Sequence, residues 1–375
     1  MDEMAFFNFS LEDYDFNSSD FLSFLPILNN TFDIPENDRL PEELPDKLKT
    51  IITVLYSIII AGAFLGNSVV ICVILANSAM RNVTNVFLIS LAISDILIAV
   101  WNMPLMLMYH LSSEWTHGEP LCKTISFMTS VTVFASIVTL TAVSTERYYA
   151  VCHPLKARYI RTNKRAAIAL VIIWTVAIAV SLPFTWLQRV ELRLALTPDA
   201  DVGIRIAELC AEKYPNATLD HLHTYIIFVF WYIVPMAIMF FTYGSIAHRL
   251  WMRKPIGDAQ ESPQNIDKLK RKIIKMLIII VLVFGICWLP FFAIQIYRLH
   301  NSATYGYRIA LTIIQLIGYS NSMMNPLIYG FMNQRFQQSL KAMFRKCKHV
   351  SAFGKNNGTL HNGHTINSIT VESAV

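Results

Sequence analysis

Val138-Thr139-Leu140-Thr141-Ala142-Val143-Ser144-Thr145-Glu146-Arg147-Tyr148 closes an apolar stretch that begins near Cys122. A helix needs about 20 such residues to cross the roughly 30 Å of hydrocarbon in a bilayer, and this stretch is long enough. It ends on an adjacent acid and base. Full charges at the edge of hydrocarbon are costly to place, so their position carries functional meaning. Outward from it, on both sides, the chain repeats the pattern: apolar runs occupy about 50–76, 83–109, 122–146, 166–187, 222–247, 271–298 and 306–330. In lipid only helices and closed barrels satisfy their backbone hydrogen bonds, and long non-alternating runs are helices. The expected fold is an all-α membrane protein, a bundle of seven transmembrane helices.

Composition points the same way. Of 375 residues, 54% are hydrophobic and 15% charged, too apolar for an ordinary soluble domain. The seventh run carries Gln315, Asn321 and Asn325, which suits a helix facing the bundle interior. No repeat of 20–50 residues is present, and the chain reads as one membrane domain over 50–332 between two tails.

The short loops set the orientation. Lys156, Arg158, Arg161, Lys164 and Arg165 lie between spans three and four, and Arg249, Arg253, Lys254, Lys268, Lys270, Arg271 and Lys272 between spans five and six. Arg335, Lys341, Arg345, Lys346 and Lys348 follow span seven. Positive loops stay in the cytoplasm, which places the N-terminus outside, in the plasma membrane topology of a multi-pass protein. Lys47 and Lys49 at the outer end of span one disagree with this, and the later loops outweigh them. Residues 1–46 are acidic and lack a basic start followed by an apolar core, so span one is expected to act as its own insertion signal.

Residues 1–49 are expected to form an extracellular tail glycosylated at Asn8, Asn17 and Asn29, with a further acceptor at Asn216 between spans four and five. Asn82 and Asn357 match the same pattern on the cytoplasmic side and are read as chance. Residues 333–347 have apolar Phe336, Leu340, Met343 and Phe344 beside Arg335, Lys341 and Arg345. They read as an interfacial helix, with Cys347 as a juxtamembrane palmitoylation site. Residues 348–375 are expected to be a disordered cytoplasmic tail. It ends Ser373-Ala374-Val375, either a free carboxylate for a PDZ domain or an accidental small-residue terminus. Cys72 and Cys287 lie inside spans and read as small apolar packers.

Taken together, the residues from about 50 to 347 resemble the rhodopsin-like (class A) G-protein-coupled receptors. The resemblance rests on Gly66-Asn67, Leu91-Ala92-Ile93-Ser94-Asp95, Trp115 ahead of Cys122, Glu146-Arg147-Tyr148, Trp174, Pro235 with Tyr243, Phe284-Gly285-Ile286-Cys287-Trp288-Leu289-Pro290, and Asn325-Pro326 with Tyr329 and Phe336. It implies a disulfide between Cys122 and Cys210, pinning the second outer loop across the bundle mouth. Asp95 reads either as a buried neutral acid or, with Ser136, Asn321, Ser322 and Asn325, as the family's sodium pocket, making a sodium ion the expected allosteric ligand. Arg147 reads either as a basic residue snorkelling to the interface or as the resting partner of Glu146, freed to meet a G protein. Pro290 and Pro326 each remove a helix hydrogen bond and permit a kink. Trp288 at the pocket floor, the Ile137–Pro235–Phe284 set, Tyr148, and inward-turning Tyr243 and Tyr329 complete the implied activation switch. Where related receptors lock the Arg147 position across to span six with an acid, this chain has Lys270, so that lock is missing.

The resemblance also bears on the ligand. Thr129 stands where amine receptors carry a carboxylate, and Tyr319 where light-sensing members carry the retinal lysine. Neither ligand is expected. The upper-bundle residues Met106, Thr129, Gln188, Glu208, Phe291, Phe292, Gln295, Arg298, Gln315 and Tyr319 mix amides, aromatics and a base. That mixture suits a peptide better than a lipid tail, and the loop motifs are similar to those of neuropeptide and peptide-hormone receptors. Glu208 or the acidic N-terminus would receive a basic group, Arg298 an acidic or C-terminal one. The expected partners are an extracellular peptide, a heterotrimeric G protein, arrestin and receptor kinases, with no nucleic acid. A class A receptor for a non-peptide ligand is the alternative. A transporter or channel would use Asp95 in an ion path, but the chain shows neither inverted repeats nor paired broken helices. An enzyme is not expected: the ten histidines are scattered, with no nucleophile, base or metal set.

Overall fold

The computed structural model describes residues 44–112, 114–160, 162–196, 204–252, 262–301 and 305–357. Seven long helices cross the bundle: α1 (Asp46–Ala76), α2 (Val83–Ser112), α3 (Gly118–Cys152), α4 (Asn163–Leu187), α5 (Ala217–Ile227, continued by Val234–Met252), α6 (Ser262–His300) and α7 (Tyr305–Met332). An eighth helix, α8 (Gln334–Asn357), follows, running past the expected end at 347 into the segment expected to be disordered. Among the described residues, six helices (all but α7 and α8) are long and apolar enough to span a membrane. The α7 helix is the more polar one because it turns Thr312, Asn321, Ser322 and Asn325 into the core, where all four are buried. The chain is a multi-pass membrane protein.

Most observed helices exceed their apolar runs at one or both ends, because hydrogen bonding continues past the hydrocarbon edge. Side-chain caps help define the starts: Asn82 Oδ1 accepts from Asn85 N, Thr162 Oγ1 from Arg165 N, and Asn216 Oδ1 from Leu219 N. Two stretches widen into π turns, Ile98–Asn102 in α2 and Phe228–Ile233 in α5. Each lies one or two residues ahead of a proline, Pro104 and Pro235. A proline ring clashes with the carbonyl four residues back, and the extra residue of a π turn relieves that contact.

The α3 helix lies centrally, touching α2, α4, α5 and α6, while α7 closes the ring between α6 and α1. Small residues allow the closest approach. Gly62 and Gly66 sit one turn apart on α1 and face Met323 and Pro326 of α7; a Cβ on Gly66 would lie 2.6 Å from Pro326 Cγ. Asn67 Nδ2 donates to the Ser322 carbonyl at 2.9 Å in the same seam. Trp174 Nε1 donates to Ser90 Oγ (3.0 Å) and Ser130 pairs with Ser181 (2.6 Å), tying α4 to α2 and α3. A proline ring cannot give way as a flexible side chain can, so Gly66→Val is expected to destabilise the solubilised protein by about 1–3 kcal/mol. Gly244→Ala, with open space around its Cα, should leave the thermal midpoint unchanged.

Between α4 and α5 the chain forms an antiparallel hairpin, β1 (Gln188–Leu196) and β2 (Ile204–Glu212), which the sequence reading had left as an undivided outer loop. The Cys122–Cys210 disulfide fixes it to the outer end of α3. Trp115 N donates to the Glu208 carbonyl at 2.7 Å, and Lys213 N to the Leu187 carbonyl at 2.8 Å. The hairpin is held by its base and along one edge.

Candidate functional site

A cavity of about 300 Å³ opens between one set of ends of α2, α3, α4, α5, α6 and α7, with Gln188, Cys210, Glu212 and Tyr214 in its wall. It brings together Met106, Thr129, Gln188, Phe291, Phe292, Gln295, Arg298, Gln315 and Tyr319 of the expected set. Glu208 is not among them. It lies one full side-chain repeat beyond Cys210 on β2 with its side chain exposed, while Glu212 reaches the cavity instead. Arg298 stands in the cavity wall. Its guanidinium makes a bidentate pair with Asp220 of α5 at 2.8 and 3.1 Å, so its charge is already matched.

Trp288, nearly one helical turn before Phe291, forms the floor and makes an edge-on ring contact with it at 5.7 Å between centroids. The mouth is organised by Tyr214, whose hydroxyl donates to Glu212 Oε2 at 2.7 Å and lies 2.8 Å from His223 Nδ1. Burial and the neighbouring Glu212 carboxylate push the Tyr214 phenol above its ordinary value, so it stays a protonated donor. Sequence reasoning missed His110, Tyr109, Phe184, Glu212, Tyr214, His223 and Trp231, all of which line the cavity. His110 fell one residue beyond the expected end of its span. Glu212 could have been found, since strand alternation puts it on the same face as Cys210.

Below the cavity lies a buried polar seam. Asn325 Nδ2 donates to Asp95 Oδ2 at 2.8 Å, and the Ser322 side chain also bonds to Asp95. Asp95 Oδ1, Ser136 Oγ, Asn321 Oδ1 and Asn325 Oδ1 are buried with no hydrogen-bond partner among the described residues. A carboxylate with several unsatisfied hydroxyl and amide oxygens is a donor set that fits a hard monovalent cation. Beneath it Ile137 and Phe284 are almost fully buried, Pro235 is buried, and the hydroxyl of buried Tyr329 has no partner among the described residues. Tyr243 is buried as well.

At the end of the bundle opposite the cavity Arg147 Nε pairs with Glu146 Oε2 at 3.2 Å. Thr84 of α2 joins both: its hydroxyl donates to Glu146 Oε2 at 3.1 Å and accepts from Arg147 Nη2. Sequence reading had no means of placing Thr84 there. Tyr148 turns away toward His153, its hydroxyl 3.2 Å from Nε2. Lys270 lies on α6, and Cys347 on α8, but their side chains are outside the described residues, as are Asn8, Asn17, Asn29 and the C-terminal Ser373-Ala374-Val375. Asn216 is exposed; its Oδ1 caps α5 while Nδ2 remains available for a glycan.

A QRFP-like peptide receptor of Branchiostoma floridae is 34% identical over 325 residues, covering 84% of this chain and 82% of its own length. A pyroglutamylated RF-amide peptide receptor of Mus musculus is 30% identical over 317 residues, with 81% and 72% covered. A neuromedin-K receptor of Cavia porcellus is 36% identical over 306 residues, with 80% and 66% covered. Residues 66–329, from the α1 glycine seam to the buried tyrosine of α7, match the 7 transmembrane receptor (rhodopsin family) pattern, and the chain belongs to that family.

Proposed function

We propose that the chain is a plasma-membrane receptor that binds an extracellular peptide and, when occupied, activates a heterotrimeric G protein. It is not an enzyme. The observation that carries the peptide reading is the outer cavity, open between six helices and walled by a disulfide-anchored hairpin, whose lining mixes amides, aromatics and charges. Peptide main chain presents donors and acceptors in alternation, which glutamines at 188, 295 and 315 can meet from three sides. The names of the similar receptors, with that of a tachykinin-like peptides receptor 86C of Drosophila melanogaster that is 33% identical over 322 residues, point to peptides of the RF-amide and tachykinin kinds. A rim of basic residues on the α3–α4, α5–α6 and α8 side supports a cytoplasmic G-protein face with the N-terminus outside. Arrestin and receptor kinases as further partners, a PDZ protein at the C-terminus, glycans at Asn8, Asn17, Asn29 and Asn216, and palmitate on Cys347 belong to the same reading. In it Asp95, Ser136, Asn321, Ser322 and Asn325 hold a sodium ion, which would supply positive charge to the buried carboxylate.

The test is a panel of amidated RF-amide and tachykinin peptides applied to cells expressing the chain, with calcium, cyclic AMP and ion flux read together. Peptide-evoked second-messenger responses without ion flux are expected. Activation by small non-peptide ligands alone would overturn the ligand class, and peptide-gated flux without G-protein activation would overturn the mechanism.

The Thr84 contact gives a further expected result. Its hydroxyl stabilises the Glu146–Arg147 pair through two bonds to charged groups. Removing them in Thr84→Val should favour the open cytoplasmic end by about 1 kcal/mol net, a roughly five-fold rise in basal G-protein activation at matched surface expression. Basal output equal to the parent chain would show that Thr84 does not bias the resting state.

A further inference from the structure

The outer end of α2 meets α7 through His110. Its backbone carbonyl accepts from Arg308 Nη2 at 3.3 Å, its Nδ1 lies 3.0 Å from Thr312 Oγ1, and its Nε2 lies 2.8 Å from Gln315 Oε1. Positions 308, 312 and 315 share one helical face. His110 is 4% exposed and Thr312 0%. Gln315 is half-buried and lines the cavity, whereas Thr312 does not.

With the Gln315 carboxamide oxygen on Nε2, the hydrogen-bond inventory sets the other roles in this chain of contacts. A carboxamide oxygen only accepts, so His110 Nε2 is the donor to Gln315. An imidazolium would be buried beside the Arg308 guanidinium, which favours the neutral ring. In that ring Nδ1 is an acceptor, and the Thr312 hydroxyl must donate to it. Gln315 therefore commits its oxygen to the imidazole. Both N–H groups of its amide are left for the cavity. Turned over, the amide would donate to Nε2 only with the ring proton on Nδ1, which would then donate to the Thr312 hydroxyl.

We propose that His110 is a positioning residue of the ligand site: it holds the Gln315 carboxamide with its N–H groups toward the cavity, so this subsite receives a hydrogen-bond acceptor, such as a main-chain carbonyl. The nature of the incoming group rests on the peptide-receptor reading; the orientation of the amide does not. A glutamine without such a partner rotates freely between its two faces and discriminates little. With the imidazole behind it, the subsite distinguishes an acceptor from a donor.

Two measurements decide this. In the first, the full chain is labelled with nitrogen-15 at its imidazoles, placed in lipid nanodiscs, and the His110 signals are assigned by their loss in His110→Phe. A proton on Nε2, with Nδ1 accepting, is expected. A ring protonated on Nδ1 alone overturns the proposal, because Gln315 would then have to donate to it and turn its oxygen to the cavity. In the second, the probe is an amidated peptide ending in Arg-Phe, with surface expression matched. Thr312→Val removes the donor to Nδ1 and releases the tautomer without touching the cavity. Its half-maximal concentration should rise about five- to ten-fold when residue 315 is Gln, and not at all in a Gln315→Met background. An equal rise in both backgrounds means that Thr312 and His110 serve only to hold α2 on α7, and overturns the proposal. Silence of the probe, and of the whole peptide panel, on the parent chain instead removes the peptide reading. The imidazole spectrum then still decides the orientation of Gln315.

Discussion

Cys122→Ala and Cys210→Ala are each expected to abolish high-affinity agonist binding, and the double replacement should be no worse than either single one. The bridge closes a separation of 88 residues. Chain-entropy arguments assign such a loop about 4–5 kcal/mol at most, and removal of native bridges commonly costs about 2–5 kcal/mol. Here the local consequence is the greater one, because the hairpin is the cavity wall. Without the bridge, β2 keeps the Trp115–Glu208 backbone bond and the Lys213–Leu187 bond at its base. Those bonds hold Glu208 and Lys213, but the covalent tie that draws Cys210 and the hairpin wall onto α3 is gone. Affinity at the surface should fall roughly thirty-fold or more, the equivalent of about 2 kcal/mol. Since one covalent bond is lost in all three variants, the coupling between the two sites should equal the whole single-variant effect. Additive losses, measured by radioligand binding on intact cells, would mean that each cysteine acts separately.

How much of this was legible in the chain depended on whether the deciding interaction was local. The seven spans were legible because a helix in lipid needs a continuous apolar run, and their centres fall where those runs lie. Their ends were not, because polar residues such as Glu119 and Asp220 sit on helical turns outside the hydrocarbon. The hairpin was partly written in the sequence: Val190, Leu192, Leu194 and Leu196 alternate with Arg189, Glu191 and Arg193, a period of two that belongs to strands. It was masked by the expectation of an irregular loop between helices. Within the cavity, nine of the expected positions converge because the motif fixes which helix faces point inward. The pairing of Arg298 with Asp220 was not legible, because the two lie 78 residues apart and no spacing rule joins them. The His110–Thr312–Gln315 contact and the Thr84 link to Glu146 and Arg147 were beyond reach for the same reason. Each joins helices distant in sequence.

Asp95→Asn should remove the sodium dependence of the protein while leaving its fold intact. The asparagine oxygen can still accept from Asn325 Nδ2, the bond now made to Asp95 Oδ2 at 2.8 Å, and its new amide can donate to one of the unmatched oxygens of Ser136 or Asn321. What disappears is the charge. A carboxylate enclosed at 1% exposure, whose hydrogen-bond partners Asn325 and Ser322 are neutral, is the strongest reason for a cation to enter the seam. If the ion binds the resting arrangement preferentially, agonist and sodium oppose each other by a common factor, and coupling of this sort is commonly about 1–3 kcal/mol. Replacing sodium by N-methylglucamine at constant ionic strength should then raise agonist affinity about five-fold or more in the parent chain and leave Asp95→Asn unchanged. A ligand-independent readout separates the ion from the agonist: sodium should raise the thermal midpoint of the purified parent protein, through its preference for the folded state, and not that of Asp95→Asn. Equal sodium effects on both proteins, in binding and in melting alike, would place the ion elsewhere and leave Asp95 a buried acid that serves only to join α2 to α7 through Asn325.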